Sequence, residues 1–169
     1  LVSICGVSGS GKSSLMINAF SKQYPEAIIV SQDSIGISSR STLATYMGIM
    51  DDIRSIFAKE TGQSAGLFSF NSIGACPLCQ GKGEMTPDVA FADPVTVTCE
   101  ACNGTRYSDE ALSFTYRNKN IIDVLRLTID EASNFFRVPK ILKRINTLKN
   151  VGLGYLTLGQ TTSSLSGGE

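Results

Sequence analysis

Gly6-Val7-Ser8-Gly9-Ser10-Gly11-Lys12-Ser13 decides the fold class, because of what flanks it: the apolar run Leu1-Val2-Ser3-Ile4-Cys5 before, and Ser14-Leu15-Met16-Ile17-Asn18-Ala19-Phe20 after. G-x-x-x-x-G-K-S between a predicted strand and a predicted helix is the pattern of a phosphate loop, and the expected class is α/β. Glycines let the backbone aim successive N–H groups at phosphate oxygens, and the start of the helix adds the positive end of its dipole. In that geometry Gly6, Ser8, Gly9, Ser10, Gly11 and Ser14 cradle phosphates. Lys12 reaches the β- and γ-phosphates as a candidate catalytic residue, and the Ser13 hydroxyl holds Mg2+. A plain glycine-rich turn without a ligand is the alternative. Cys5, in the predicted first strand, is expected to be a small buried apolar residue.

Phosphate loops serve GTPases, kinases and ATPases alike, and the last five residues separate these. Leu165-Ser166-Gly167-Gly168-Glu169 is similar to the signature of ATP-binding cassette (ABC) ATPases. That resemblance implies that Ser166, Gly167, Gly168 and Glu169 cap the γ-phosphate of ATP held by an opposite ATPase half. Gln32, after the apolar run Ala27-Ile28-Ile29-Val30, stands where such cassettes carry a glutamine that senses the γ-phosphate and Mg2+, and is the second candidate catalytic residue.

The cysteines add a third signal. Cys76-Pro77-Leu78-Cys79 and Cys99-Glu100-Ala101-Cys102, with positions 80 to 98 between them, have the spacing of a two-knuckle zinc site. Gly81 and Gly104 each follow two positions after a pair, where a tight turn lets N–H groups approach thiolate sulfur. The chain has no histidine, so four thiolates must serve, and they leave no open coordination position. The expected site is therefore structural and not catalytic. Two disulfides are the alternative, disfavoured by a composition that looks cytosolic.

A chain of 169 residues with 42% hydrophobic content can bury a core. Its formal net charge of zero advertises no nucleic acid, so DNA contact would need local patches. No apolar run approaches the roughly 20 residues of a bilayer span and no signal peptide is visible, so a cytoplasmic protein without a membrane partner is expected. Residues 1–60 are expected to form part of an ATP-binding lobe, and 61–169 a signature domain with its zinc module at about 74–107. Val95-Thr96-Val97 is a predicted strand. Ser108 and Thr128 are predicted helix caps, the latter in the capping box Thr128-Ile129-Asp130-Glu131. Pro139 opens a helix with the apolar stripe Ile141, Leu142, Ile145 and Leu148, stopped near Gly152. Its other face carries Lys140, Lys143, Arg144 and Lys149, most simply a solvated basic face.

Taken in order, the chain resembles the UvrA family, the damage-recognising ABC ATPases of bacterial nucleotide excision repair, or a close UvrA-like paralogue. The resemblance lies in Gly6 to Leu15, Gln32 to Asp52 with Ala44-Thr45-Tyr46, Phe68-Ser69-Phe70-Asn71, Cys99 to Tyr107, and Val151 to Glu169. It implies a P-loop NTPase (ABC ATPase) lobe with an inserted α+β zinc-binding signature domain. It further implies ATP, Mg2+ and Zn2+, closure of two ATPase halves on ATP, a homodimer, a downstream excision-repair subunit, and readout of DNA shape or damage. Lys82, Arg106, Arg117 and Lys119 are the candidate DNA phosphate contacts. The short link from phosphate loop to Gln32 and the first cysteine pair depart from the repair enzyme's second half, leaving open a paralogue for resistance to DNA-binding drugs. A transporter-type cassette would carry a helical insert in place of the cysteines. A DnaJ-type chaperone zinc domain shares the cysteine-glycine pattern but carries no phosphate loop. The chain stops inside the signature, before the acidic second nucleotide motif, and is expected to be a fragment that does not turn over nucleotide alone.

Overall fold

The computed structural model describes residues 2–7, 9–29, 40–86 and 96–165. The chain divides into two compact units, Leu1–Asp33 and Ser34–Glu169. Residues 40–60, grouped above with the phosphate loop by motif order, pack inside the second unit because Ile49, Ile53 and Phe57 belong to its core.

In the first unit the helix predicted after the phosphate loop forms. It is wound as a π-helix over Ser14–Phe20, with the Ser21 N–H donating to the Met16 carbonyl, and runs on into α1 (Ser21–Gln23). The strand predicted before the glycine-rich loop does not form: residues 2–5 carry no strand, and neither does the apolar run at 27–29. A strand exists through ladder hydrogen bonds to a neighbour, and no such partner stands beside either run among the described residues. Cys5 is consequently exposed, contrary to expectation, with its Sγ 3.5 Å from the Ser3 hydroxyl.

The second unit is built on short capped helices: α2 (Leu43–Tyr46), α3 (Met50–Thr61), α4 (Asp109–Ser113), α5 (Ile121–Arg126), α6 (Ile129–Phe135) and α7 (Pro139–Asn150). Ser108 caps α4, and Thr128 with Glu131 forms the reciprocal capping box of α6. Two further boxes, Thr42 with Thr45 at α2 and Asn120 with Asp123 at α5, satisfy the otherwise orphaned first-turn N–H groups in the same way. Pro139 occupies the first turn of α7, and Gly152 just past its end has φ of 87°. Ile53, Phe57, Phe68, Ile121, Ile129, Phe136, Ile141 and Ile145 are all fully buried, with the Phe57 ring 5.0 Å from Phe68 and 6.0 Å from Tyr116.

A two-stranded antiparallel ribbon, β1 (Glu84–Met85) and β2 (Val97–Thr98), pairs Glu84 with Thr98 and Met85 with Val97. Of the predicted strand 95–97 only Val97 is in β2, which adds Thr98; Thr96 is outside the strand and Val95 lies outside the described residues. Both strands are exposed, so the ribbon is held from its cysteine end and not by a core. The content is mixed helix and strand, and no described helix is long and apolar enough to cross a membrane.

Candidate functional site

The cysteine knuckles are planted on the core through backbone. Cys76 N–H donates to the Arg106 carbonyl at 2.9 Å and Ser108 N–H to Gly74 at 2.9 Å, joining the two ends of the module. Tyr107 closes this base: its ring meets Phe70 edge-on at 5.6 Å and its hydroxyl donates to the Phe68 carbonyl at 3.4 Å. Burial raises the Tyr107 phenol well above its usual range, against the pull of Arg54 and Arg106, so it stays neutral. Gly81, with φ of 78°, presses so close that a Cβ there would lie 1.8 Å from the Phe70 carbonyl oxygen.

All four thiols, Cys76, Cys79, Cys99 and Cys102, are buried, and their sulfurs lie within 4.8 Å of one another. Cys76 Sγ is 4.0 Å from Cys99 Sγ, and Cys79 Sγ is 3.7 Å from Cys102 Sγ. A tetrahedral ion with Zn–S bonds of about 2.3 Å needs sulfurs about 3.8 Å apart, whereas a disulfide needs about 2.05 Å. All four cysteines are free, so the disulfide alternative is set aside and the donor set fits zinc.

Backbone N–H groups tune the thiols. Burial pushes the Cys79 thiol up, but the Gly83 and Gly81 N–H groups and the neighbouring Cys102 and Cys76 outweigh it, lowering its pKa to about 7. The Gly83 N–H donates to Cys79 Sγ at 3.2 Å. Cys102 shifts the other way overall: burial pushes it up to about 11, with Cys79 and Cys99 adding to the rise and the Arg106 and Gly104 N–H groups opposing it. Gly81 and Gly104 thus act as the spacing suggests. The N–H groups of Gly83 and Arg106, four positions after each pair, have a part toward the thiols that the sequence reading did not assign; the pattern Cys-x-x-Cys-x-Gly-x-Gly over 76–83 was the signal for Gly83.

In the loop read from the sequence as a phosphate loop, Gly9 and Gly11 take φ of 79° and 82°. Residues Gly9 to Ser14 line a hollow of about 310 Å3. The Lys12 ammonium folds over the loop, donating to the carbonyls of Gly6 at 2.8 Å and Val7 at 2.7 Å and reaching Ser10 Oγ at 3.3 Å. Ser8, Gln32 and the signature residues Ser166, Gly167, Gly168 and Glu169 lie outside the described residues.

The four candidate DNA contacts fall in two places. Lys82 and Arg106 belong to the knuckles: Lys82 is exposed, and the Arg106 guanidinium lies 5.3 Å from the Phe70 ring centroid. Arg117 and Lys119 sit on a tight turn closed by Tyr116 and Lys119, which exchange backbone hydrogen bonds of 2.9 and 3.1 Å. Arg117 is anchored there, donating to the Phe135 carbonyl at 2.8 Å. The basic face of α7 is also largely engaged within the unit: Lys140 pairs with Asp52 at 2.7 Å, Lys149 with Asp130 at 3.0 Å, and Arg144 donates to the Met47 carbonyl. The face is solvated as expected, with Lys140, Lys143, Arg144 and Lys149 all exposed, and Asp52 and Asp130 pair with two of its lysines.

No protein-family model matches the chain. Curated relatives do: UvrABC system protein A of Staphylococcus epidermidis is 42% identical over 100% of this chain, and that of Staphylococcus aureus 42% identical over 98%. The chain spans about a fifth (21%) of the length of each. Among solved structures, UvrA2 from Deinococcus radiodurans superposes with a TM-score of 0.76 at 42% identity, covering 98% of this chain and 23% of that one. In sequence and in structure the chain belongs to the UvrA family, as a segment.

Proposed function

We propose that this chain is the part of an ABC-type excision-repair ATPase that carries one phosphate loop and the zinc-bearing signature domain, in a protein that binds damaged DNA under control of ATP. The observation that carries the proposal is the 42% identity to UvrABC system protein A over the entire chain.

In this reading residues 1–33 contribute to a P-loop ATPase lobe. Val2, Ile4, Leu15, Ile28 and Ile29, all exposed, are covered by the rest of that lobe, since this chain amounts to about a fifth of its relatives' length. ATP is held by Gly6, Ser8, Gly9, Ser10, Gly11 and Ser14, with Lys12 swinging from the Gly6 and Val7 carbonyls to the phosphates and Ser13 taking Mg2+. Gln32 senses the γ-phosphate, and Ser166 to Glu169 meet the nucleotide of the opposite half. When bound, zinc fastens the four cysteines and fixes the base of the ribbon, a structural duty that leaves no site for substrate. Two halves closing on ATP would alter the shape of a DNA-binding surface, with readout by deformation and not by sequence. Homodimer assembly, handover to a downstream repair subunit and a cytoplasmic location belong to the same reading.

The test uses the parent protein with duplexes bearing or lacking a bulky lesion, with and without ATP. A preference for the damaged duplex that ATP modulates, and that Lys12→Ala makes indifferent to ATP, is the expected outcome. Equal affinity for both duplexes at every nucleotide state would refute it.

A further inference from the structure

A groove of about 490 Å3 runs between the second knuckle, α5 and the strip at residues 157–164 that leads toward the signature. Its chemistry is one-sided. Two guanidiniums, Arg106 and Arg126, line it and no carboxylate does. The ion pairs of the described residues, Arg54–Asp51, Lys140–Asp52 and Lys149–Asp130, neutralise neither. Thr157 and Thr161 also line this space, and their hydroxyls bond to no protein group among the described residues.

Arg106 stands there at a backbone cost. The two knuckles repeat each other in their left-handed positions: Gln80 with Asn103, Gly81 with Gly104, and Gly83 with Arg106, whose φ values of 81° and 75° nearly coincide. Glycine does the backbone work in the first knuckle; in the second an arginine takes a conformation that disfavours any side chain. Both positions serve their own knuckle's second thiol through an N–H, so the backbone does not explain the arginine. Side-chain strain of this kind gathers at functional positions. Gly83 even makes room for it, since a Cβ there would lie 3.0 Å from Arg106 Cγ. Stacking on Phe70 holds the planar fork in place while leaving its N–H edge available.

The opposite wall is equally fixed. Gly159 N–H donates to the Leu125 carbonyl at 2.7 Å, Leu43 N–H to Gln160 at 2.8 Å, and Thr42 bridges to Thr161. A groove held from both sides loses little entropy on binding.

We infer that this groove is a phosphate-ester site, with Arg106 and Arg126 as its anion-binding residues and Thr157 and Thr161 as hydroxyl donors. It rests on the DNA reading above only if the phosphate belongs to a duplex backbone; a free phosphorylated ligand has the same chemistry. Of the four basic residues picked from the sequence, Arg106 alone belongs to it, and Arg126 was not picked.

The probes are inorganic pyrophosphate and a short undamaged duplex, titrated into the zinc-loaded chain carrying Lys12→Ala to remove the phosphate loop's lysine. Arg126→Gln alters an exposed side chain, and Arg106→Gly restores the residue that the first knuckle uses, so both variants should keep their zinc and melting temperature. Each should weaken binding roughly tenfold, as expected for loss of a charge-assisted contact. For the duplex, each should also lower the salt slope by about one. Loss for pyrophosphate alone supports the site with a small phosphorylated ligand; loss for the duplex alone supports it with backbone phosphate. Failure of both probes to bind, or affinities indifferent to both substitutions, overturns the site. Duplex binding that persists unchanged in both variants while pyrophosphate shows no loss in either would do so and leave the DNA reading intact.

Discussion

Residues 2–29 and 40–165 carry comparably strong motifs and have opposite physical characters. In the first, no described residue is buried, and Val2, Leu15, Ile17, Ile28 and Ile29 are open to water. In the second, Phe57, Ile121, Ile129, Ile141 and Ile145 have no exposed surface at all, and three reciprocal capping boxes close helix starts. The lesson is that a motif specifies chemistry and packing specifies stability, and the two need not sit in the same stretch of chain. A phosphate loop needs only glycine freedom and a lysine to be recognisable; a strand needs a neighbour.

Zinc removal should produce the largest effect within the second unit. Four buried thiols around no ion leave the exposed ribbon without a foundation, and structural zinc in small modules contributes on the order of 10 kcal/mol. Chelation should abolish the ordered chemical shifts of residues 76–86 and 96–107 while α7 persists; an unmoved ribbon would show that the metal is dispensable. The pH dependence of zinc affinity sharpens this. Zinc binds thiolates, so affinity falls on acidification, and the fall should steepen by one proton below about pH 7, where Cys79 itself is protonated and must first be ionised. Competition against a chelator across pH 6 to 8 measures the slope.

Next in size, Phe57→Ala should cost about 3–5 kcal/mol, since its ring is fully buried between Phe68 and Tyr116. Thr128→Ala removes one arm of the α6 capping box and should cost about 1 kcal/mol in denaturant melts. Leu15→Ala, in the first unit, should shift stability by less than about 0.5 kcal/mol, because the side chain it shortens is already in water. A loss at Leu15 as large as that at Phe57 would erase the contrast between the regions.

Much of the second unit was legible because its signals are local. Ser108 and Thr128 cap where the sequence places them, Pro139 opens its helix, and the Ile141–Ile145 stripe is buried. The boxes at Thr42 and Asn120 went unread because Thr45 and Asp123 replace the usual Glu or Gln at the third position. Non-local pairing was the blind spot. Nothing near Lys140 or Lys149 announces Asp52 or Asp130, and nothing in Leu1 to Cys5 says whether another strand lies beside it. For the four-cysteine cluster, the spacing was enough to name the residues whose sulfurs come together. The asymmetry between Gly83 and Arg106 needed backbone angles to be noticed.

Amide hydrogen exchange on the zinc-loaded chain tests the contrast most directly. The account predicts strong protection at Ile53, Phe57, Val124, Ala132 and Ile145, and exchange near the unfolded rate at Val2 to Cys5 and Ala27 to Ile29. Protection in those two runs approaching that of Ile145 would mean that they pair as strands in the chain itself, and would contradict it.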